Sequence, residues 1–406
     1  MAVDQAAFSL GNFTATVLVG RYAGQRELGV FAWTFSIVLL VAAAQRALVV
    51  SAYTYQSQSL RGRARRLRRG STLTLVVATG LSIAILLSAA VAACHTIGWL
   101  HVVSAHVAAL AFFGWAIREF ARRLLFAEHC FGEAAIVDAA AVAMQLLMLS
   151  WLAGAGELTA ATALAASAVA WGLAGLGWLG WRRLWFVVEW RVLREHTHDI
   201  LRFGRWAALS EATFAAQDAA VQTMLTVSGG FSLTGLYAAC QSLIKPVNVV
   251  VQAVGNAAGP MSAAALAKDG IAGLQSRVVR VTEVLGILLL AYTVILAVYG
   301  EATLRLLYAT TTADTHWLLM AVAAAALASA MGLPPAKAVS ALQKPQLNSL
   351  ANASCLAATI GAGLSCLQLS GSVVSALVVG SLVGSALKWG AYLSLSSLPR
   401  QREATP

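Results

Sequence analysis

Stretches of about 20 mostly apolar residues alternate with short polar breaks along the whole chain. A helix needs about that many residues to cross the hydrocarbon core of a bilayer. The pattern predicts about twelve spanning helices, at residues 6–24, 29–53, 71–94, 102–124, 134–153, 161–181, 206–226, 233–258, 279–299, 315–336, 347–369 and 372–394. The loops expected on the outer side are all short. The longest, between Gly300 and Asp314, is too small for a catalytic domain.

Composition sharpens this picture. Of 406 residues, 59% are hydrophobic and 11% charged, against roughly 45–50% and 25% in soluble domains. The net charge of +11 could suggest nucleic acid, yet the arginines cluster in alternate breaks. Arg61, Arg63, Arg65, Arg66, Arg68 and Arg69 follow the second run, and Arg182, Arg183, Arg191, Arg194, Arg202 and Arg205 follow the sixth. Basic loops mark the cytoplasmic side and meet anionic lipid there, so a multi-pass protein with both termini in the cytoplasm is expected, with membrane lipids and not nucleic acid as its surroundings. The start, MAVDQAAFSLGNF, lacks the basic region and cleavage site of a signal peptide, so the first span is expected to be retained. Cys94, Cys130, Cys240, Cys355 and Cys366 are scattered without metal-ligand spacing, and His95, His101 and His106, with the pair His196 and His198, lack the companions of a metal site. No metal and no cofactor is expected.

Sliding the chain by 206 residues lays AAFSLGNF, from Ala6, on ATFAAQDA, from Ala212, without a gap. The same offset pairs Gly29 with Gly235, Phe31 with Tyr237 and Ala32 with Ala238. Both copies begin on the same side of the membrane, so the halves read as parallel repeats about an axis along the membrane normal, with a substrate site between them. The expected organisation is an N-terminal six-helix lobe at 1–181, a cytoplasmic linker at 182–205, a C-terminal six-helix lobe at 206–394 and a cytoplasmic tail at 395–406, the lobes enclosing a central cavity. The linker mixes Trp185, Phe186, Trp190 and Leu193 with arginines. That suits an amphipathic helix on the membrane surface, or a plain linker with aromatic anchors.

Ionisable side chains inside a membrane cost about 2.5–3.5 kcal/mol on insertion scales, so each is presumed to face a cavity or a partner. In the seventh span Glu211, Asp218 and Gln222 fall within about 40° of one another on a helix. In the eighth, Gln241, Lys245, Asn248, Gln252 and Asn256 share one face of about 80°. Gln5, Asn12 and Thr16 of the first span align with Glu211, Asp218 and Gln222 at the 206 offset, and Arg46 of the second aligns with Gln252. These stripes point to a hydrated cavity. Alternatively they are packing glue, with Lys245 and Asp218 neutralising one another. Arg118, Glu119, Arg122 and Arg123 end the fourth span, where snorkelling to the cytoplasmic surface would account for them. Pro246 predicts a kink in the eighth span, and Pro334 with Pro335 a break in the tenth.

DQAAFSLGNFTATVLVGRYAGQRELGVFAWTFSIVLL, WAIREFARRLLFA, DAAVQTMLTVSGGFSLTGLYAACQSLIKPVNVVVQAVGNAAGPM and YGEATLRLLYA resemble the polysaccharide-export, O-antigen-flippase type of transporter. That type belongs to the superfamily that also contains the multidrug and toxin extrusion antiporters and the lipid II flippase. The resemblance covers nearly the whole chain and implies a non-enzymatic flippase in the bacterial cytoplasmic membrane. Its cargo would be undecaprenyl-diphosphate-linked oligosaccharide for surface polysaccharide, and H+ or Na+ would be the coupling ion. Contact with polysaccharide polymerase or export machinery is a further implied partnership. The cationic lumen of such proteins would fall here to Arg46 and Lys245, with Lys388, and Asn12, Gln241, Asn248 and Gln252 would complete the substrate face. Asp218 and Glu211 would serve the coupling ion. Their negative charge departs from the pattern and suits the alternative, a cation-coupled multidrug or metabolite antiporter. A membrane-embedded glycan polymerase or acyltransferase would need a positioned nucleophile or base and room for a glycan outside, and neither is seen.

Overall fold

The computed structural model describes residues 2–50, 53, 62–96, 105–182, 189–308, 315–342, 345–368 and 374–397. Among them the chain is helical without a strand, as expected where a spanning backbone must satisfy its own polar groups. The helices are α1 (Ala2–Leu18), α2 (Gln25–Gln45), α3 (Gly62–Thr96), α4 (Ala105–Ala127), α5 (Phe131–Gly154), α6 (Ala160–Trp181), α7 (Trp190–Tyr308), α8 (Thr315–Met331), α9 (Leu333–Ala341), α10 (Pro345–Gln368) and α11 (Val374–Ser397). A π turn prolongs α1 over Val19–Ala23 and α2 over Arg46–Val50.

The run called α7 is not one rod. A straight helix rises about 1.5 Å per residue, so positions 218 and 241 would lie about 35 Å apart. Gln241 Nε2 instead stands 2.8 Å from Asp218 Oδ1. The run doubles back between them at Gly230, whose φ of 72° is open to glycine at no steric cost. Gly24, between α1 and α2, has φ 92°. The two positions are separated by 206 residues, so each repeat turns its first hairpin on an equivalent glycine.

These hairpins meet face to face. A Cβ on Gly29 would strike the Phe231 carbonyl and stand 2.9 Å from Gly235 N. A Cβ on Gly235 would strike the Gln25 carbonyl and stand 3.0 Å from Gly29 N. Adding 206 to 25 and 29 gives 231 and 235, so each contact is the image of the other, the reciprocity of an isologous interface. Within the hairpins the offset holds again. A Cβ on Gly20 would lie 3.0 Å from Leu28 Cδ2, and at the equivalent positions Thr226 Oγ1 and Thr234 Oγ1 are 2.8 Å apart.

Eight described segments are long and apolar enough to cross a membrane: Gln25–Val50, Gly62–Ala89, Phe131–Gly154, Ala160–Trp181, Lys268–Tyr308, Thr315–Val339, Gln346–Cys366 and Ser375–Ser394. The four expected spans outside this set, the first, fourth, seventh and eighth, are helical all the same. Three of them, the fourth, seventh and eighth, carry more charged and amide side chains than any other span. Helices that turn polar groups toward neighbouring helices need not be apolar throughout.

The chain packs as two compact units, Met1–Lys245 with Ala302–Thr312, and Pro246–Glu301 with Ala313–Pro406. The first is centred on an aromatic cluster. Trp115 and Trp171 lie edge to face at 5.2 Å, and Phe35 is 5.8 and 5.6 Å from them. Trp171 Nε1 donates to Gln145 Oε1 at 3.3 Å, and Gln145 Nε2 to Ser167 Oγ at 2.9 Å, so the polar atoms among these rings are paired. In the second unit Leu274, Val278, Ala338, Val339 and Tyr392 form a core. The break expected at Pro334 and Pro335 is present, with α8 ending at Met331 and α9 starting at Leu333. Helix α11 seals it: Trp389 Nε1 donates to Met331 O at 3.1 Å, and Ser385 Oγ donates to Ala328 O. Helix α7 runs on through Pro246, where the two units divide.

Candidate functional site

Gly230 turns the two legs of the α7 hairpin against each other, so the stripes carrying Asp218 and Gln241 converge. Asp218 Oδ1 accepts from Gln241 Nε2 at 2.8 Å and from Tyr237 OH at 3.3 Å. Its Oδ2 accepts from Gln222 Nε2 at 2.8 Å. Gln241 Nε2 also reaches Tyr237 OH at 2.6 Å. Every one of these donors is neutral. Gln222 Oε1 is buried and has no hydrogen-bond partner among the described residues. Lys245, one turn beyond Gln241, donates to Thr16 Oγ1 at 3.1 Å. Thr16 in turn donates to Asn12 O at 2.7 Å. Among the described residues neither Lys245 nor Asp218 forms an ion pair. Mutual neutralisation through direct contact is therefore not the arrangement found.

Arg46 opens the π turn at the end of α2, a wider turn that often marks a functional position. Its Nη2 is 2.6 Å from Glu211 Oε2 and its Nη1 3.7 Å from Glu119 Oε1. A candidate substrate cation and a candidate coupling carboxylate are thus bound to each other. The Glu211 side chain is 49% exposed and that of Arg46 27%.

The cluster ending the fourth span lies elsewhere than sequence suggested. Arg118 and Asp138 are fully buried, and Glu119 and Arg122 nearly so. Asp138, on α5, is 3.3 Å from Arg118 Nε and 3.8 Å from Arg122 Nη1. Glu119 takes Arg122 Nε at 3.1 Å and Arg123 Nε at 2.8 Å. Arg118 also stacks over Trp115 at 4.9 Å. This is an internal ion network between α4 and α5, not a set of side chains snorkelling to a surface. The missing clue was Asp138, which sits alone in an apolar span and could have been matched to the arginines as the partner an intramembrane acid requires.

Asn12 lies in α1, one turn before Thr16. The side chains of Asn248 and Gln252 lie outside the described residues. Lys388 belongs to the second unit, beside the break in α8, where a Cβ on Gly332 would stand 3.1 Å from Lys388 Cδ. Tyr237 was legible only as the counterpart of Phe31; its hydroxyl role appears once the hairpin closes. The helix starting at Trp190 exposes Trp190, Arg191, Arg194 and Glu195 and buries Leu193, a two-faced arrangement.

No protein-family model and no curated protein matches the chain. Solved structures do. An inward-facing multidrug resistance MATE family transporter of the MOP superfamily superposes with a TM-score of 0.77 at 15% identity, covering 97% of each chain. An outward-facing structure of such a transporter gives 0.69 at 14% identity, over 98% of this chain and 94% of the other. A MOP superfamily transporter from Pyrococcus furiosus, described as having a binding pocket of reverse polarity that suggests a different function, gives 0.70 at 15% identity over 98% and 94%. At such identities the architecture is what is shared: this multi-pass membrane protein has the fold of the MATE-type transporters of the MOP superfamily, twelve spanning helices in two lobes.

Proposed function

We propose that the protein is an alternating-access exporter driven by a cation, with Asp218 as the coupling carboxylate. The observation that carries this reading is the company Asp218 keeps. A carboxylate held by two amides and a phenol, with no cation paired to it among the described residues, can take up and release H+ or Na+ without breaking an ion pair. The unpartnered Gln222 Oε1 beside it offers a further oxygen to an arriving cation. The fold supports the same reading, since solved transporters that share it are found facing inward and outward. The substrate class favoured by the carboxylates is a drug or metabolite exchanged for the cation. Catalysis of bond making or breaking has no part in this scheme.

A second reading, the flippase for undecaprenyl-diphosphate-linked oligosaccharide in the bacterial inner membrane, is favoured by one observation. Residues 315–402 contain no acidic side chain, so Lys388 has no counter-carboxylate from that stretch, and an anionic cargo would supply one. In either case Arg61 to Arg69 would face the cytoplasm, together with both termini.

The test uses purified protein in liposomes with imposed H+ or Na+ gradients. Gradient-driven uptake of a fluorescent cationic drug by wild type, lost in Asp218→Asn with protein abundance unchanged, supports the antiporter. No drug transport, with rescue of surface glycan in a flippase-deficient strain, moves the assignment to the second reading. Gradient-driven transport surviving in Asp218→Asn removes Asp218 from the coupling role.

A further inference from the structure

We infer that Lys245 is an internal stand-in for the coupling cation, alternating between Thr16 and Asp218 as that ion arrives at the carboxylate and leaves it. The inference rests on the proposed coupling role of Asp218 for its purpose, and on the surroundings of Lys245 for its substance. An ammonium carries three donors, yet the one hydrogen bond that Lys245 makes among the described residues goes to Thr16 Oγ1 at 3.1 Å. Thr16 is buried and its own proton is committed to Asn12 O at 2.7 Å, so its oxygen meets the lysine as an acceptor. A neutral hydroxyl is a weaker partner for a half-buried cation than a carboxylate is. Such a carboxylate is near. Among the described residues Lys245 and Asp218 lie within electrostatic reach of each other, and no second charge acts on either.

The lysine can cover the distance. Gln241 and Lys245 are four residues apart on one face of α7, a spacing that sets their Cβ atoms about 5–6 Å apart. Gln241 Nε2 stands 2.8 Å from Asp218 Oδ1, and the flexible four-carbon stem of Lys245 brings Nζ to the same carboxylate by rotation alone. Neutral donors leave Asp218 its negative charge, so an empty carboxylate draws the lysine in. A proton or Na+ on Asp218 removes that attraction and returns Lys245 to Thr16. The two positions differ in what they join. Lys245 on Thr16 ties α7 to α1, across 229 residues of chain, whereas Lys245 on Asp218 ties α7 only to itself. Occupancy of the carboxylate therefore decides whether the first helix of one repeat is bound to the hairpin of the other. An ion shifts a conformational equilibrium only through such a difference in contacts between the two states.

The test measures the affinity of Asp218 for each ion in full-length protein in nanodiscs. One arm titrates H+ by the carboxylic-acid infrared band that Asp218→Asn removes, and the other measures equilibrium binding of radioactive Na+. Lys245→Gln removes the competitor and should tighten the ion that binds at Asp218 about tenfold. Thr16→Val takes away the lysine's alternative partner and should weaken that ion about fivefold. The double variant should behave as Lys245→Gln alone, with thermal unfolding confirming that each protein is folded. Thr16→Val is a conservative change on a different helix, so it tests the inference even if Lys245→Gln does not fold. A lysine that stays in place predicts no effect of Thr16→Val, and that result overturns the inference. So does unchanged affinity in Lys245→Gln, a double variant weaker than Lys245→Gln, or the absence of Asp218-dependent binding in both arms. Transport that survives Asp218→Asn removes the coupling role but leaves these affinities as they are, so the two proposals fail separately.

Discussion

Two acids in the first unit, one buried and one half-buried, are treated in opposite ways. Glu119 sits among arginines, and Asp218 sits among amides and a phenol. Both solve the problem of a carboxylate in an apolar setting, but the solutions have different uses. A guanidinium cage fixes the charge, and the geometry of several helices comes to depend on it. A cage of neutral donors stabilises the anion less and leaves room for a cation to come and go. On the function proposed above, structural work falls to the α4 and α5 network and exchange to the α7 hairpin.

The sharpest way to break this contrast is Arg118→Ala. It leaves Asp138 buried without its nearest cation and should cost about 3–5 kcal/mol, read as a fall in membrane abundance and in the unfolding midpoint. Replacing Arg118 and Asp138 together by Met and Leu should restore most of the loss. A double variant as unstable as the single would show that the network does not act through this pair. At the α7 hairpin the effect should be smaller. Gln241→Leu removes one neutral donor of several and should cost about 1 kcal/mol, while altering the cation dependence of transport. A loss as large as that of Arg118→Ala would erase the distinction between the regions. Smallest of all, Arg191→Gln breaks a pair whose side chains are 88% and 63% exposed, and no shift in the unfolding midpoint is expected.

Much of the fold was open to reading in the sequence, because bilayer thickness imposes one length on every span. What sequence could not supply was pairing across the packing. Lys245 and Asp218 lie on facing stripes of consecutive spans and have opposite charge, so pairing was an open alternative. The lysine instead binds Thr16, 229 residues away. Arg46 stood alone in its span, and its partner Glu211 is 165 residues distant. Arg118 and its neighbours were assigned to the surface by their place at a span end, and only the position of Asp138 on α5 reveals their burial. The 206-residue offset aligned Gly29 with Gly235, but alignment does not imply touch. That both must lack a side chain follows only from the crossing of the two hairpins.

The reciprocal glycine contact bears on ancestry. A surface that binds its own rotated image is available to any two copies of the segment that carries it, so a half-length chain bearing only the first hairpin would have possessed this contact as a homodimer. Fusion of two such copies would preserve the contact unaltered while freeing every other position to diverge. The separation of Asp218 from Asn12, and of Gln252 from Arg46, is divergence of that kind: one copy could acquire an acid and the other keep an amide, an option closed to an assembly of identical chains.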